Sequence, residues 1–218
     1  MEDLILQIVI VLGVILFSMT LHEVMHGVMA YWLGDDTAKL EGRLTLNPTK
    51  HIDPILTIAL PLFLVITSFL TGGVTPIFGG AKPVPFNPAR VKYDEWGAAL
   101  VALAGPLTNF AIAFLLFGLY ALLGGPEGIV GQVLTTAVLV NLGFFVFNMI
   151  PIPPLDGSRV MYALAPDFVR RGMEAIEQYG LIVVFAIVML ASSAIGMLMG
   201  TVISAILNLF AQLFGVTV

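Results

Sequence analysis

Residues 4–33 read LILQIVIVLGVILFSMTLHEVMHGVMAYWL, and this stretch decides the fold class. It is apolar almost throughout, and about 20 such residues are enough for a helix to cross the hydrocarbon core of a bilayer. Further apolar runs cover 54–71, 96–123, 132–155 and 179–215. The 218 residues are 59% hydrophobic and 11% charged, and their mean hydropathy is +1.02. A soluble domain carries about 25% charged residues, so a water-exposed globule cannot absorb this excess. The sequence predicts an all-α polytopic membrane protein, a single domain over 1–218 with about four to six membrane segments.

Composition also excludes. There is no cysteine, which removes disulfides and thiolate metal ligands. A net charge of -5 with only nine Lys and Arg leaves no basic patch for nucleic acid. No internal repeat of the kind that marks many transporters is visible. The chain opens with Glu2 and Asp3 and shows no small-residue cleavage site, so the first run is expected to stay as a helix and not to leave as a signal peptide.

Working outward, helix one ends at Gly34-Asp35-Asp36, where glycine suits a C-terminal cap. The run 54–71 is interrupted by Pro61 and closed by Gly72-Gly73. Residues Gly79 to Pro88 hold Pro83, Pro85 and Pro88, which forbid a helix and favour a short extended or β segment. A third helix is expected over 96–123 and a fourth over 131–150, broken by Pro151, Pro153 and Pro154. The C-terminal membrane segment, 179–215, is long for one crossing and short for two. It reads as one span plus a partly inserted or interfacial piece.

His22-Glu23-Val24-Met25-His26 carries the chemistry. A spacing of four sets both imidazoles on one helix face, about a turn apart, where they can share a metal. Glu23 lies beside them and can take a proton from metal-activated water without being a ligand. The bland alternative is two incidental histidines and a buried glutamate. A charged side chain near mid-membrane costs about 2.5–3.5 kcal/mol, and such groups are functional by default.

A catalytic zinc keeps three protein ligands and one open position. The third ligand could come from Asp35, Asp36, Glu41, Asp53 or Asp156. Asp156 is favoured: prolines before it unwind the helix end, and Gly157 after it permits close backbone approach. An interfacial aspartate that merely caps the next segment is the alternative. Asn148 could donate to an oxyanion or make a helix–helix hydrogen bond. Gly105-Pro106-Leu107-Thr108-Asn109 reads as structural, its small residues allowing close packing, and His51 as a loop histidine.

Together these elements resemble the site-2 protease family of intramembrane metalloproteases. The match rests on His22-Glu23-x-x-His26, Gly42-Arg43-Leu44-Thr45-Leu46-Asn47-Pro48 with His51-Ile52-Asp53-Pro54, Gly80-Ala81-Lys82-Pro83-Val84-Pro85, Ala104-Gly105-Pro106-x-x-Asn109, and Asn148-x-x-Pro151-x-Pro153-x-Leu155-Asp156-Gly157. Unlike better-described members, the chain leaves no room for a PDZ or CBS domain, so a compact form is expected, with its catalytic core over about residues 4–165. The resemblance implies one zinc per chain on His22, His26 and Asp156, Glu23 as base and Asn148 as oxyanion donor. The implied reaction is peptide hydrolysis within or near transmembrane segments of membrane proteins, as in regulated intramembrane proteolysis. An inactive scaffold of the same fold, or a zinc hydrolase of another amide bond, are the rival expectations.

The metal also predicts a topology. His22 and His26 lie late in helix one and Asp156 follows helix four, so both helices must run the same way across the bilayer. That requires 54–71 to be re-entrant. All nine Lys and Arg then fall on one side, which the positive-inside rule makes the cytoplasm. The expected location is a prokaryotic cytoplasmic membrane, with the active site nearer the cytoplasmic face.

Overall fold

The computed structural model describes residues 2–71, 80–180, 182–183, 186 and 192–216. Helix α1 covers Glu2–Trp32 and the short α2 Thr37–Leu40. A 3₁₀ turn at Pro48–Lys50 and a π turn at Pro54–Ala59 lead into α3, Leu60–Thr71. A second 3₁₀ turn, Pro88–Arg90, precedes α4, Asp94–Leu122. Then come α5, Gly128–Asn148, the short α6, Asp156–Leu164, and α7, Asp167–Glu177. Helix α8 covers Ser192–Phe214.

Among the described residues four helices are long and apolar enough to cross a membrane: Leu4–Trp32, Asp94–Leu122, Gly128–Asn148 and Ser193–Phe214. Their packing suits a lipid solvent. On α1, Val11, Ile15 and Met19 are buried against Val65, Val140 and Phe144, while Ile5, Val9 and Phe17 stay more than 60% exposed. Leaving such side chains in water costs about 25 cal/mol per Å²; facing hydrocarbon, they cost nothing. A second core joins α4, α5 and α8 through Phe117, Leu142 and Phe210. The chain is an integral membrane protein.

Hydrogen bonds fix the helix directions. Asn141 on α5 reaches Ser18, and Asp156, just after α5, reaches His22. Rising numbers on α1 therefore meet rising numbers on α5, and the two run parallel. On α4 the order reverses, Asn109 lying at Ser18 and Val101 at His26. The peptide N–H of Lys92 donates to Leu33 O at 2.9 Å, so the chain starts α4 at the bundle end where it left α1. Within this excursion Gly80 N–H donates to Leu56 O and the Thr57 hydroxyl to Gly80 O, at 3.0 and 2.6 Å. Residues 72–79, including the start of the expected extended segment, lie outside the described residues.

Residues 80–87 differ from the expected β segment, because no strand occurs among the described residues. Prolines 83 and 85 have no N–H to give a ladder. Other donors go elsewhere, among them Lys82 N–H to His51 O and Val84 N–H to the Glu23 carboxylate. The segment is pinned from its other side by the buried Arg43, whose guanidinium donates to Lys82 O and Pro83 O at 2.8 and 3.2 Å. At the C-terminus the described residues hold one helix long and apolar enough to cross, α8. Most of 181–191, within the expected C-terminal membrane segment 179–215, lies outside them.

A buried carboxylate ties α1 to this loop. Asp35 accepts from the Thr37 amide and hydroxyl and, through Oδ2, from Asn87 N–H at 2.6 Å. Burial would raise its pKa, but these donors outweigh it and hold the carboxyl below its usual value. A depressed folded pKa adds stability above the unfolded value of about 3.9, and that stability is lost as pH falls through the folded value. Asp35→Ala, which orphans these donors, is expected to cost about 1–3 kcal/mol at neutral pH. Thermal unfolding in detergent should show the gap between variant and wild type closing below about pH 4.

Candidate metal centre

His22 and His26 lie on one face of α1 as their spacing requires, with ring centroids 4.6 Å apart. Their Nε2 atoms are 3.0 Å from each other, and Asp156 Oδ2 lies 3.2 Å from the first and 3.5 Å from the second. A tetrahedral metal bonded at about 2.0–2.2 Å holds its ligand atoms roughly 3.3–3.6 Å apart. Two imidazoles and one carboxylate are a common catalytic zinc set, so the residues fit that ion. Among the described residues this is the one His, Asp and Glu cluster that could hold a metal.

Two glycines make the approach possible. A Cβ on Gly105 of α4 would stand 2.4 Å from His26 Nε2 and 2.7 Å from His22 Cε1, so the imidazoles rest on bare backbone. A Cβ on Gly157 would stand 2.4 Å from Met149 O, so α6 could not start against the end of α5. Asp156 sits in the first turn of α6, where a helix N-terminus favours an anion.

The three groups border a cavity of about 500 Å³ that Glu23, Asn148 and Val84 also line. Glu23 is 7% exposed, and its Oε2 accepts from Val84 N–H at 2.8 Å. That bond orients the carboxylate and leaves Oε1 for a proton. Asn148 donates to Phe144 O within its own helix at 3.1 Å, not across to another. Arg159, which the sequence did not single out, borders the same cavity.

The other carboxylates considered as ligands are engaged elsewhere or exposed. Asp53 Oδ1 caps the π turn, accepting from Ile55 and Leu56 N–H at 2.9 and 2.8 Å. Asp35 holds Thr37 and Asn87, Asp36 pairs with Arg90 at 2.9 Å, and Glu41 is exposed. His51 is 2% exposed and shares Nε2 with Thr45 O at 2.9 Å, so it organises the loop.

The outer shell holds what sequence reasoning missed. His26 Nδ1 faces Val101 O at 2.7 Å. His22 Nδ1 faces Asn109 Oδ1 at 2.6 Å. Asn109 in turn reaches Asn141, and Asn141 reaches Ser18, at 2.8 and 2.9 Å. Gly105 does serve packing, but Asn109 of the same motif does more. Asn141 and Ser18 stand in apolar helices, and the rule that applied to Glu23, that polar groups at membrane depth need a reason, would have marked them.

The profile of peptidase family M50 matches residues 122–191. YwhC of Bacillus subtilis, which carries the name of a zinc metalloprotease, is 38% identical over 210 residues, covering 92% of this chain and 90% of YwhC. Rip2 of Mycolicibacterium smegmatis, named likewise, is 31% identical over 176 residues, covering 78% of this chain and 62% of Rip2. MJ0611 of Methanocaldococcus jannaschii, also so named, is 43% identical over 61 residues, 28% of this chain and 31% of that protein. No solved structure matches significantly.

Proposed function

This chain belongs to peptidase family M50, the site-2 proteases, and from that premise we propose that it is a zinc endopeptidase cutting other membrane proteins within or beside their transmembrane segments. The carrying observation is the convergence of His22, His26 and Asp156 beside Glu23, on a helix able to span a membrane. Bound by these three residues, zinc would lower the pKa of water towards ~7 and polarise a carbonyl. Glu23 would take a proton from the attacking water at Oε1 and return it to the leaving amine, as a general base and then acid. Asn148, on the cavity wall, donates its second amide N–H to the developing oxyanion. The surrounding apolar helices exclude bulk water, which strengthens each of these interactions.

The test is cleavage of a helical membrane peptide by the purified protein in detergent, with cut sites read by mass spectrometry. A chelator should stop cleavage and added zinc restore it. Full zinc content without cleavage of any transmembrane peptide would favour the inactive-scaffold alternative.

The proposal extends to topology. The Lys92–Leu33 bond and the parallel course of α1 and α5 support a re-entrant path for 54–71, with the metal nearer the cytoplasm. Because the chain has no cysteine, single cysteines can be placed without background. Cysteines replacing Lys50 and Lys92 are expected to react with impermeant maleimide only after permeabilisation, and one replacing Glu127 on intact cells. Labelling of Lys50 and Lys92 positions from opposite sides would overturn the topology.

A further inference from the structure

A histidine binds a metal through one ring nitrogen only if the proton sits on the other, so each ligand needs something to decide its tautomer. For His26 the decision is immediate. Its Nδ1 faces Val101 O, a carbonyl that can only accept, so Nδ1 carries the proton and Nε2 presents a lone pair to the metal.

His22 has no such fixed partner. Its Nδ1 faces the amide of Asn109, whose two ends have opposite polarity. Were the amide reversed, it would offer N–H to Nδ1, drive the proton to Nε2 and close that nitrogen to a cation.

We infer that Asn141 on α5 is a positioning residue for the metal site, fixing the amide of Asn109 and through it the tautomer of His22. Polarity propagates from one end. The Asn141 Nδ2 donates to Ala137 O at 2.8 Å, a backbone carbonyl that only accepts, so the amide end of Asn141 is settled there. Its Oδ1 therefore faces Asn109 at 2.8 Å, and Asn109 must present its NH₂. The Asn109 Oδ1 is then left for His22 at 2.6 Å, where it accepts the Nδ1 proton. Ser18 adapts, since its hydroxyl accepts from Asn141 at 2.9 Å and its carbonyl lies 3.5 Å from Asn109 Nδ2. Asn109 and Asn141 are both fully buried, and reversing either would set like poles together in a medium of low dielectric.

This inference rests on the zinc site proposed above, but it is tested without any substrate. Zinc affinity of the detergent-purified protein is read by chelator competition, and the absorption spectrum of bound cobalt reports the ligand field. Asn141→Leu, of similar size and without polarity, is expected to weaken zinc binding about 10–100-fold, as loss of an outer-shell partner does, and to shift the cobalt bands. Asn141→Asp should stay near wild type: a carboxyl buried here holds its proton, so its carbonyl still accepts from Asn109 while its hydroxyl donates. Because Asn141 acts through Asn109, the double variant Asn109→Leu/Asn141→Leu should bind no more weakly than Asn109→Leu alone.

Circular dichroism and thermal unfolding of the zinc-free proteins identify a variant that has lost its fold. Asn141→Ala then replaces Asn141→Leu with the same expectations. Wild-type affinity in Asn141→Leu, equal losses in the Leu and Asp variants, or additive losses in the double variant would each overturn the inference. Undiminished zinc affinity in the wild type with no peptide cleaved would sink the protease proposal and leave this one standing.

Discussion

Glu23→Gln is expected to slow peptide cleavage by about 10²–10⁴-fold, the usual contribution of a general base, while zinc content stays at the wild-type level. The two halves follow from one geometry. Glu23 stands beside the ligand group without belonging to it, so removing its charge takes nothing from the metal. Glutamine keeps the shape and an oxygen that can still accept from Val84 N–H, as Glu23 Oε2 does at 2.8 Å. The change therefore removes the proton acceptor and little else. Single-turnover cleavage of a membrane peptide, together with metal analysis of the same preparation, decides it. Zinc loss as deep as in His22→Ala would mean that Glu23 is a ligand or that the site collapses without its charge.

Asp156→Ala should reduce zinc affinity by more than the roughly 10–100-fold that an outer-shell partner is worth, because on the proposed reading it removes a ligand outright. Asp53→Ala makes a demanding control, since Asp53 borders the same cavity. Its carboxylate caps the π turn, so its loss should cost about 1 kcal/mol of stability and leave zinc near wild type. Chelator competition on both proteins separates the two roles. Equal zinc loss would mean that the cavity wall, and not the Asp156 carboxylate, governs binding.

How much of this could be read beforehand depends on how local the cause was. The His22–His26 pair is set by helix periodicity and was open to inspection. Asp156 was legible for a similar reason, since the Pro151, Pro153, Pro154 and Gly157 around it announce how the backbone turns. The parallel course of α1 and α5 could be argued because a shared metal would bring distant residues to one depth and because all nine Lys and Arg then fall on one side. No such constraint pointed to the Asn109–Asn141–Ser18 chain, whose members sit on three helices and are paired only by packing. The expected extended segment forms no strand for a physical reason that its own prolines supplied: few N–H groups remained, and Leu56, His51, Glu23 and Asp35 accept from Gly80, Lys82, Val84 and Asn87. The pinning of that segment by Arg43 is a contact between two loops, which no periodicity encodes.

The placement of Asp156 after α5 bears on how the protein is made. The helix carrying both imidazoles leaves the ribosome early, whereas the carboxylate that completes the ligand set is among the later residues to appear. At about 5–20 residues per second, the nascent chain spends on the order of ten seconds with His22, Glu23 and His26 in the membrane and no third ligand. On the ligand set proposed above, the site would be incomplete during that interval and the proposed hydrolysis could not yet begin. Order of synthesis would then delay the proposed chemistry until α5 stands beside α1, where Asn141 meets Ser18 and Asp156 meets His22.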